Sequence, residues 1–375
     1  MHKSLAIKYN HFNYSAHLRN FMNTLLAPLH KGPLKTLHLI TLTFLDVGKP
    51  ILCELARQLP LMVDFKYILK RLWRFFSKSK FTLNDAYAGI VPYFLNWLSI
   101  RKYLEIIVDW TKIGNYSVLY LSIPYKKRAI PLFWRVADWT TDEDWQNTIE
   151  RECLTAFIGL VPLILRPKII IIADRGYGKV EFFKFLKDLT VGFAIRVKGD
   201  VWIKSRCFSG KLRAVQFGQR RVRWWQNILY HKTKQERLNI LLKYESKDPV
   251  YIATNLSDPN AVLAIYGHRM RIEESFRDFK NRHCFSLREA KLKGRFKMEK
   301  LILVVVIAYM FVILFGAACE SVPWLIKLVT IPKRKQQKSK LLSSFRVGWS
   351  LLKKLTLSVQ YGWLFNFKEV CPKEA

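Results

Sequence analysis

Tyr266, Arg269, Glu273 and Lys280 put a phenol, two cations and a carboxylate on one short stretch, Tyr266-Gly-His-Arg-Met-Arg-Ile-Glu-Glu-Ser-Phe-Arg-Asp-Phe-Lys280. The stretch has no Pro and one early Gly, so it is expected to run as a single continuous helix. At about 100° per residue the four fall at roughly 0, 300, 340 and 320°, on one narrow face. A core helix does not bury such a stripe, and a solvated helix scatters it. The combination suits a metal-binding carboxylate flanked by phosphate ligands, because Arg, Lys and Tyr all grip phosphate oxygens. Arg277, at about 20°, joins the face. His268 points away from it.

That carboxylate needs partners. Asp109 closes the mostly apolar run Leu104-Glu-Ile-Ile-Val108 and precedes Trp110-Thr111. Asp174 ends the run Ile169-Ile-Ile-Ile-Ala173 and precedes Arg175-Gly-Tyr-Gly178. The second run reads as a buried strand, and an Asp at the C-terminal end of such a strand stands where α/β sheets place ligand-binding groups. Two strand acids and one helix acid can hold two divalent ions about 3.5–4 Å apart, one for the attacking and one for the leaving oxygen of a phosphodiester. Mg²⁺ is the expected ion, since it keeps waters and takes few carboxylates, with Mn²⁺ as a substitute. Each acid alone has an ordinary reading: a turn or N-cap Asp, or a salt-bridging Glu on a charged helix. Their combination and order favour the metal reading.

With these residues in place, the chain resembles the DDE transposases of bacterial insertion sequences, specifically the IS-four family with its YREK signature. Tyr266, Arg269, Glu273 and Lys280 match that signature without a gap, and Asp174-Arg-Gly-Tyr177 matches the family's second-acid motif. The first acid maps onto Asp109. The resemblance covers roughly Arg101 to Cys319. It implies an α/β fold: an RNase H-like mixed sheet with a β-rich insertion before the Glu273 helix. It implies two metal ions held by Asp109, Asp174 and Glu273, and phosphate contacts from Tyr266, Arg269, Arg277 and Lys280. A Trp of the insertion, Trp224 or Trp225 with Trp202 behind, would stack on a flipped base. The implied partners are double-stranded DNA, as terminal inverted repeats and as target, and a second copy of the chain in the synaptic complex.

Composition agrees with a polyanionic partner. The chain has 375 residues, with 63 basic against 28 acidic and a net charge of +35, an excess that self-repels unless matched. Half of the residues are hydrophobic, enough for a substantial core. Six scattered cysteines form no Cys-x-x-Cys pair and read as reduced thiols of a cytoplasmic, nucleoid-associated protein. Leu301–Cys319 is uncharged and as long as a membrane span. The favoured reading is a core helix and the competing one a membrane span, with a membrane-surface protein built on this segment as a separate hypothesis. A further alternative is a catalytically inactive DNA-binding protein derived from a transposase.

Along the chain, residues 1–98 read as a helical, basic DNA-binding region, with helices expected at Leu18–Leu29, Pro50–Leu59, Phe65–Phe76 and Thr82–Leu98. Residues 99–198 are expected to form the first part of the catalytic core. It holds a three-strand meander (Lys102–Asp109, Tyr116–Ile123, Ala129–Val136), a helix at Thr141–Phe157, and then strand, helix and strand. Residues 199–257 form the β-rich insertion, with Arg220-Arg-Val-Arg-Trp-Trp225 in it. Residues 258–320 complete the core, and 321–375 form a short basic C-terminal region with the run Lys333–Lys340 and the aromatic tail Tyr361–Phe367.

Overall fold

The computed structural model describes residues 14–78, 81–138, 143–216, 221–244, 249–329 and 342–357. The basic run Lys333–Lys340, the aromatic tail Tyr361–Phe367, Arg220 and the start of the Thr141 helix lie outside them. The described helices are α1 (Tyr14–Leu25), α2 (Lys31–Val47), α3 (Leu52–Gln58), α4 (Phe65–Lys78), α5 (Leu83–Trp97), α6 (Glu143–Leu160), α7 (Val180–Asp188), α8 (Pro259–Gly267), α9 (Met270–Lys280), α10 (Arg295–Cys319), α11 (Pro323–Val329) and α12 (Ser344–Leu357). The strands are β1 (Leu104–Ile113), β2 (Tyr116–Tyr125), β3 (Arg128–Asp138), β4 (Ile169–Ala173), β5 (Gly192–Arg196), β6 (Trp202–Lys204), β7 (Ser209–Lys211), β8 (Val222–Tyr230), β9 (Glu236–Lys243) and β10 (Val250–Thr254). Two compact units result. One takes Val91–Tyr125 and Ala129–Phe276; the other takes the described residues of Met1–Ile90, Lys126–Arg128 and Arg277–Ala375.

The first unit is built on one mixed sheet in the order β3-β2-β1-β4-β5-β10-β9-β8-β6-β7. β1 and β2 form a hairpin whose turn has Gly114 at φ 58°, a conformation glycine takes without a side-chain clash. β4 runs parallel to both β1 and β5, and all five of its residues are buried, as expected for a strand covered on both faces. The strands β6 to β10 continue the same sheet, because β10 pairs antiparallel with β5 and then with β9. α7 and α8 pack over β5 and β9.

The second unit is helical, and α10 is its core. Every residue from Leu301 to Phe315 is buried, with α2, α4 and α12 as neighbours. By length and composition α10 could cross a membrane, but here its apolar surface is covered by other helices of the same unit. α10 and α12 meet at two glycines. A Cβ on Gly316 would stand 1.8 Å from Ser344 O, and one on Gly348 would stand 2.1 Å from Val312 O. A buried ion pair lies in the same unit. Arg128 Nε donates to Asp278 Oδ2 at 2.5 Å, and Tyr309 Oη donates to the same oxygen at 3.3 Å.

α2 has no counterpart in the sequence expectation. Its Ile-Thr-Leu-Thr-Phe stretch favours strands locally. Its helical ends are nonetheless marked, by Pro33 in the first turn and by Gly48 at φ 75°, whose N–H bonds Phe44 O at 2.7 Å.

Candidate active site

β1 carries Asp109 farther into the sheet than its apolar run suggests. The strand continues four residues beyond it, paired with β2 from Asp109↔Tyr120 to Ile113↔Tyr116. On the other side, the parallel ladder to β4 stops at Ile107↔Ile172. Carrying that register on by two residues sets Asp109 beside Asp174, just past the end of the paired segment. Asp174 ends β4 and caps the short turn Arg175–Tyr177, its Oδ1 accepting from Gly176 N at 2.8 Å. The ordinary turn role and the site role therefore coexist, because Oδ2 is the oxygen near Arg269.

The stretch from Tyr266 to Lys280 is two helices, not the continuous one expected. Asp258 caps α8, accepting from Asn260 N at 2.9 Å, with Pro259 in the first turn. At the junction the backbone tightens to bonds three residues apart, His268 N→Ile265 O at 3.1 Å and Arg269 N→Tyr266 O at 3.0 Å. His268 keeps right-handed helical angles, so the side chains before and after the break hold nearly helical spacing. One turn on, Arg269 Nη1 donates to Glu273 Oε1 at 2.8 Å. His268 pairs with Glu105 of β1, Nδ1 to Oε2 at 2.5 Å.

The acids converge on Arg269. Its Nη2 lies 3.5 Å from Asp109 Oδ2 and 3.8 Å from Asp174 Oδ2, while Nη1 holds Glu273. One guanidinium thus touches carboxylates from two strands and a helix. Burial pushes the Asp109 carboxyl up to about 6, against the pull of Arg269 and with help from the charges of Asp174 and Glu273. Burial pushes Tyr266, half-buried at the end of α8, up to about 12, and Arg269 pulls it back. For Arg269 burial works downward, and the neighbouring carboxylates, Asp109 first, outweigh it and raise the guanidinium. Arg269 Nε is buried without a hydrogen-bond partner among the described residues. A donor stranded beside an anion-ready pocket is costly unless a ligand completes it.

Sequence reasoning missed a second layer. Glu150 of α6 is buried and accepts from Trp110 Nε1 at 2.7 Å. Burial pushes it up to about 7, against the pull of Trp110, Lys179 and Tyr177. Trp110 follows Asp109 directly and stacks on Trp145 at 6.2 Å. Tyr177, three residues after Asp174, faces Glu150 without aligning for a full hydrogen bond; its hydroxyl is fully buried. The only sequence trace of this layer is that Trp110 and Tyr177 adjoin the two acid motifs.

The donor chemistry of the acids suits a hard divalent cation: all three are carboxylates, and burial holds the Asp109 carboxyl up in spite of Arg269 beside it. Among the described residues no three His, Cys, Asp or Glu side chains are gathered closely enough to enclose an ion, so an ion would compete with Arg269 for the same oxygens. Arg277 and Lys280 lie farther along α9, in residues of the helical unit. Trp224 and Trp225 stand half-buried on β8, four strands along the sheet from β4, with Trp225 stacked on Phe208 at 5.7 Å.

The search of curated proteins found no match. Residues 146–311 match the family described as the transposase DDE domain, a span that begins after Asp109 and takes in Asp174, Arg269 and Glu273; this supports a DDE transposase.

Proposed function

We propose that the chain is a DDE transposase of the IS-four, YREK type, which cuts the ends of an insertion sequence and joins them to target DNA. The observation that carries this reading is the meeting of Asp109, Asp174 and Glu273 on the Arg269 guanidinium. The order β3-β2-β1-β4-β5, with β4 parallel to β1, supports an RNase H-like core.

In this reading Asp109, Asp174 and Glu273 hold divalent metal, Mg²⁺ or Mn²⁺. When bound, the metal supplies an activated water and charge stabilisation at the leaving oxygen. Arg269 turns its stranded Nε toward a phosphate oxygen. Tyr266 keeps its proton across the physiological range and donates it as a hydrogen bond. Arg277 and Lys280 neutralise phosphates beside the cut. Trp224, whose neighbour Trp225 is already stacked on Phe208, is the better candidate for stacking on a flipped base. The helical region of residues 1–98 binds the transposon end, and two copies of the chain synapse two ends in the cytoplasm.

The test is incubation of the purified chain with a labelled DNA end from its own flanks, with and without Mg²⁺. Nicking that requires the metal is expected. A protein that binds the end and never cuts it, in Mg²⁺ or Mn²⁺, overturns the reading.

A further inference from the structure

The sheet unit carries a groove of about 680 Å³ whose walls come from four separate stretches, Val201 being the smallest contribution. α6 supplies Arg151, the turn after Asp174 supplies Lys179, and the end of β8 with its following turn supplies Tyr230, His231 and Lys234. Tyr230 Oη donates to Gly178 O at 2.9 Å, tying the far wall to the turn that begins at Asp174. The groove is therefore tied by a hydrogen bond to the turn that follows the second acid.

The lining is strongly cationic. Its single carboxylate is Glu181, ion-paired with Lys234. The Arg151 guanidinium lies over the Phe185 ring at 5.6 Å, which steadies the cation without neutralising it. Lys179 donates to Asn147 Oδ1 at 3.3 Å, and its charge also acts on the buried Glu150 carboxylate. His231 is held in a left-handed conformation at φ 72°, uncommon for a residue with a side chain. Its Nδ1 accepts from the amides of Thr233 and Lys234 at 3.4 and 3.3 Å, which leaves the ring proton on Nε2 as a donor. Cations set on separate elements around one carboxylate suit an extended anion that meets each at a different point, rather than a compact one chelated at the centre.

We infer that this groove seats the phosphodiester backbone of the DNA strand next to the scissile position. The inference rests on DNA as the substrate of the proposed function. It adds Arg151, Lys179, His231 and Lys234, none of which belongs to the helix stripe or the acid motifs, as backbone contacts along the path to Asp174.

The test measures binding of a labelled linear duplex of generic sequence across a KCl series without divalent metal. Each phosphate contact contributes about 0.9 to the slope of log affinity against log salt. The double variant Arg151→Gln/Lys234→Gln should lower that slope by about 2. Glu181→Gln, which releases Lys234 and removes the one anion, should instead tighten binding severalfold at low salt. This opposite sign cannot come from misfolding. ATP at millimolar concentration should not displace the duplex; displacement would assign the groove to free nucleotides and overturn the proposal. Unchanged slopes in a protein that still binds and cuts DNA would overturn the groove alone. A wild-type chain that binds no DNA would overturn the transposase reading with it.

Discussion

Asp109 and Asp174 stand at one level of two neighbouring parallel strands, and a single nitrogen, Arg269 Nη2, lies 3.5 Å from the first and 3.8 Å from the second. The level is fixed by packing. All five residues of β4 are buried, and a slip of one residue would turn every side chain, Asp174 among them, to the opposite face. Asp109→Asn, Asp174→Asn and Glu273→Gln should each reduce end cleavage by about a thousandfold or more, with end binding retained in a gel-shift assay. Glu274→Gln should cleave normally; the reverse pattern at 273 and 274 would mean the wrong face of α9 has been identified.

Arg269 is the internal counterion of the acid cluster. Its removal leaves partly buried carboxylates facing one another, at a cost of about 3–5 kcal/mol. Arg269→Ala should therefore melt well below wild type without metal. Mg²⁺ should raise its melting temperature more than it raises that of wild type, because the ion replaces a lost cation. Equal metal shifts in the two proteins would show that metal and Arg269 do not share the acids.

The raised carboxyls set a stability slope. Asp109 holds its proton up to about pH 6 in the native state against 3.8 for its ordinary value, and Glu150 up to about 7 against 4.5. The native state then binds more protons than the unfolded chain across this window, so stability is highest at its acid end and falls as pH rises to about 7. Each group contributes on the order of 3 kcal/mol to that fall. Asp109→Asn should abolish cleavage yet melt higher than wild type at pH 8, and Glu150→Gln should flatten the slope while keeping its acceptor for Trp110. Chemical denaturation between pH 4 and 8 measures both effects; a wild-type stability that rises through this window contradicts the assignment.

The α10–α12 crossing tolerates no side chain at its closest point. Gly316→Ala and Gly348→Ala each drive a methyl into backbone oxygen, and each should cost about 3 kcal/mol or more. Thermal melts of the metal-free proteins report this directly. A loss under about 1 kcal/mol in both would place the helices farther apart.

Trp224→Ala should weaken binding of a DNA end carrying an unpaired terminal base by about 1–3 kcal/mol, with little effect on fully paired internal duplex. Fluorescence of 2-aminopurine at that base reads the stacking. Equal losses on both substrates would reassign Trp224 to the packing of β8.

Much of the site was legible in the sequence because its parts are local. A buried strand ending in Asp174, an apolar run around Asp109 and the spacing of Tyr266, Arg269 and Glu273 all declare themselves within a few residues. What stayed hidden depends on partners far along the chain. Glu150 meets Trp110 across 40 positions, and nothing in either local pattern announces the hydrogen bond. The break at His268 follows from tightened backbone bonds that leave the apolar period intact, so periodicity cannot reveal it. The strands from Trp202 to Thr254 were visible as alternation, but alternation does not say which edge they join; pairing of Val250–Thr254 with β5 decides that.

The glycine crossing has a consequence for biosynthesis. α10 leaves the ribosome before α12, so for a time its uncharged stretch lacks the cover that only later residues provide. During that interval it offers the same signal as a genuine membrane anchor. A chain ended before Ser344 would keep this signal permanently, and bilayer insertion or aggregation is the expected fate of such a fragment.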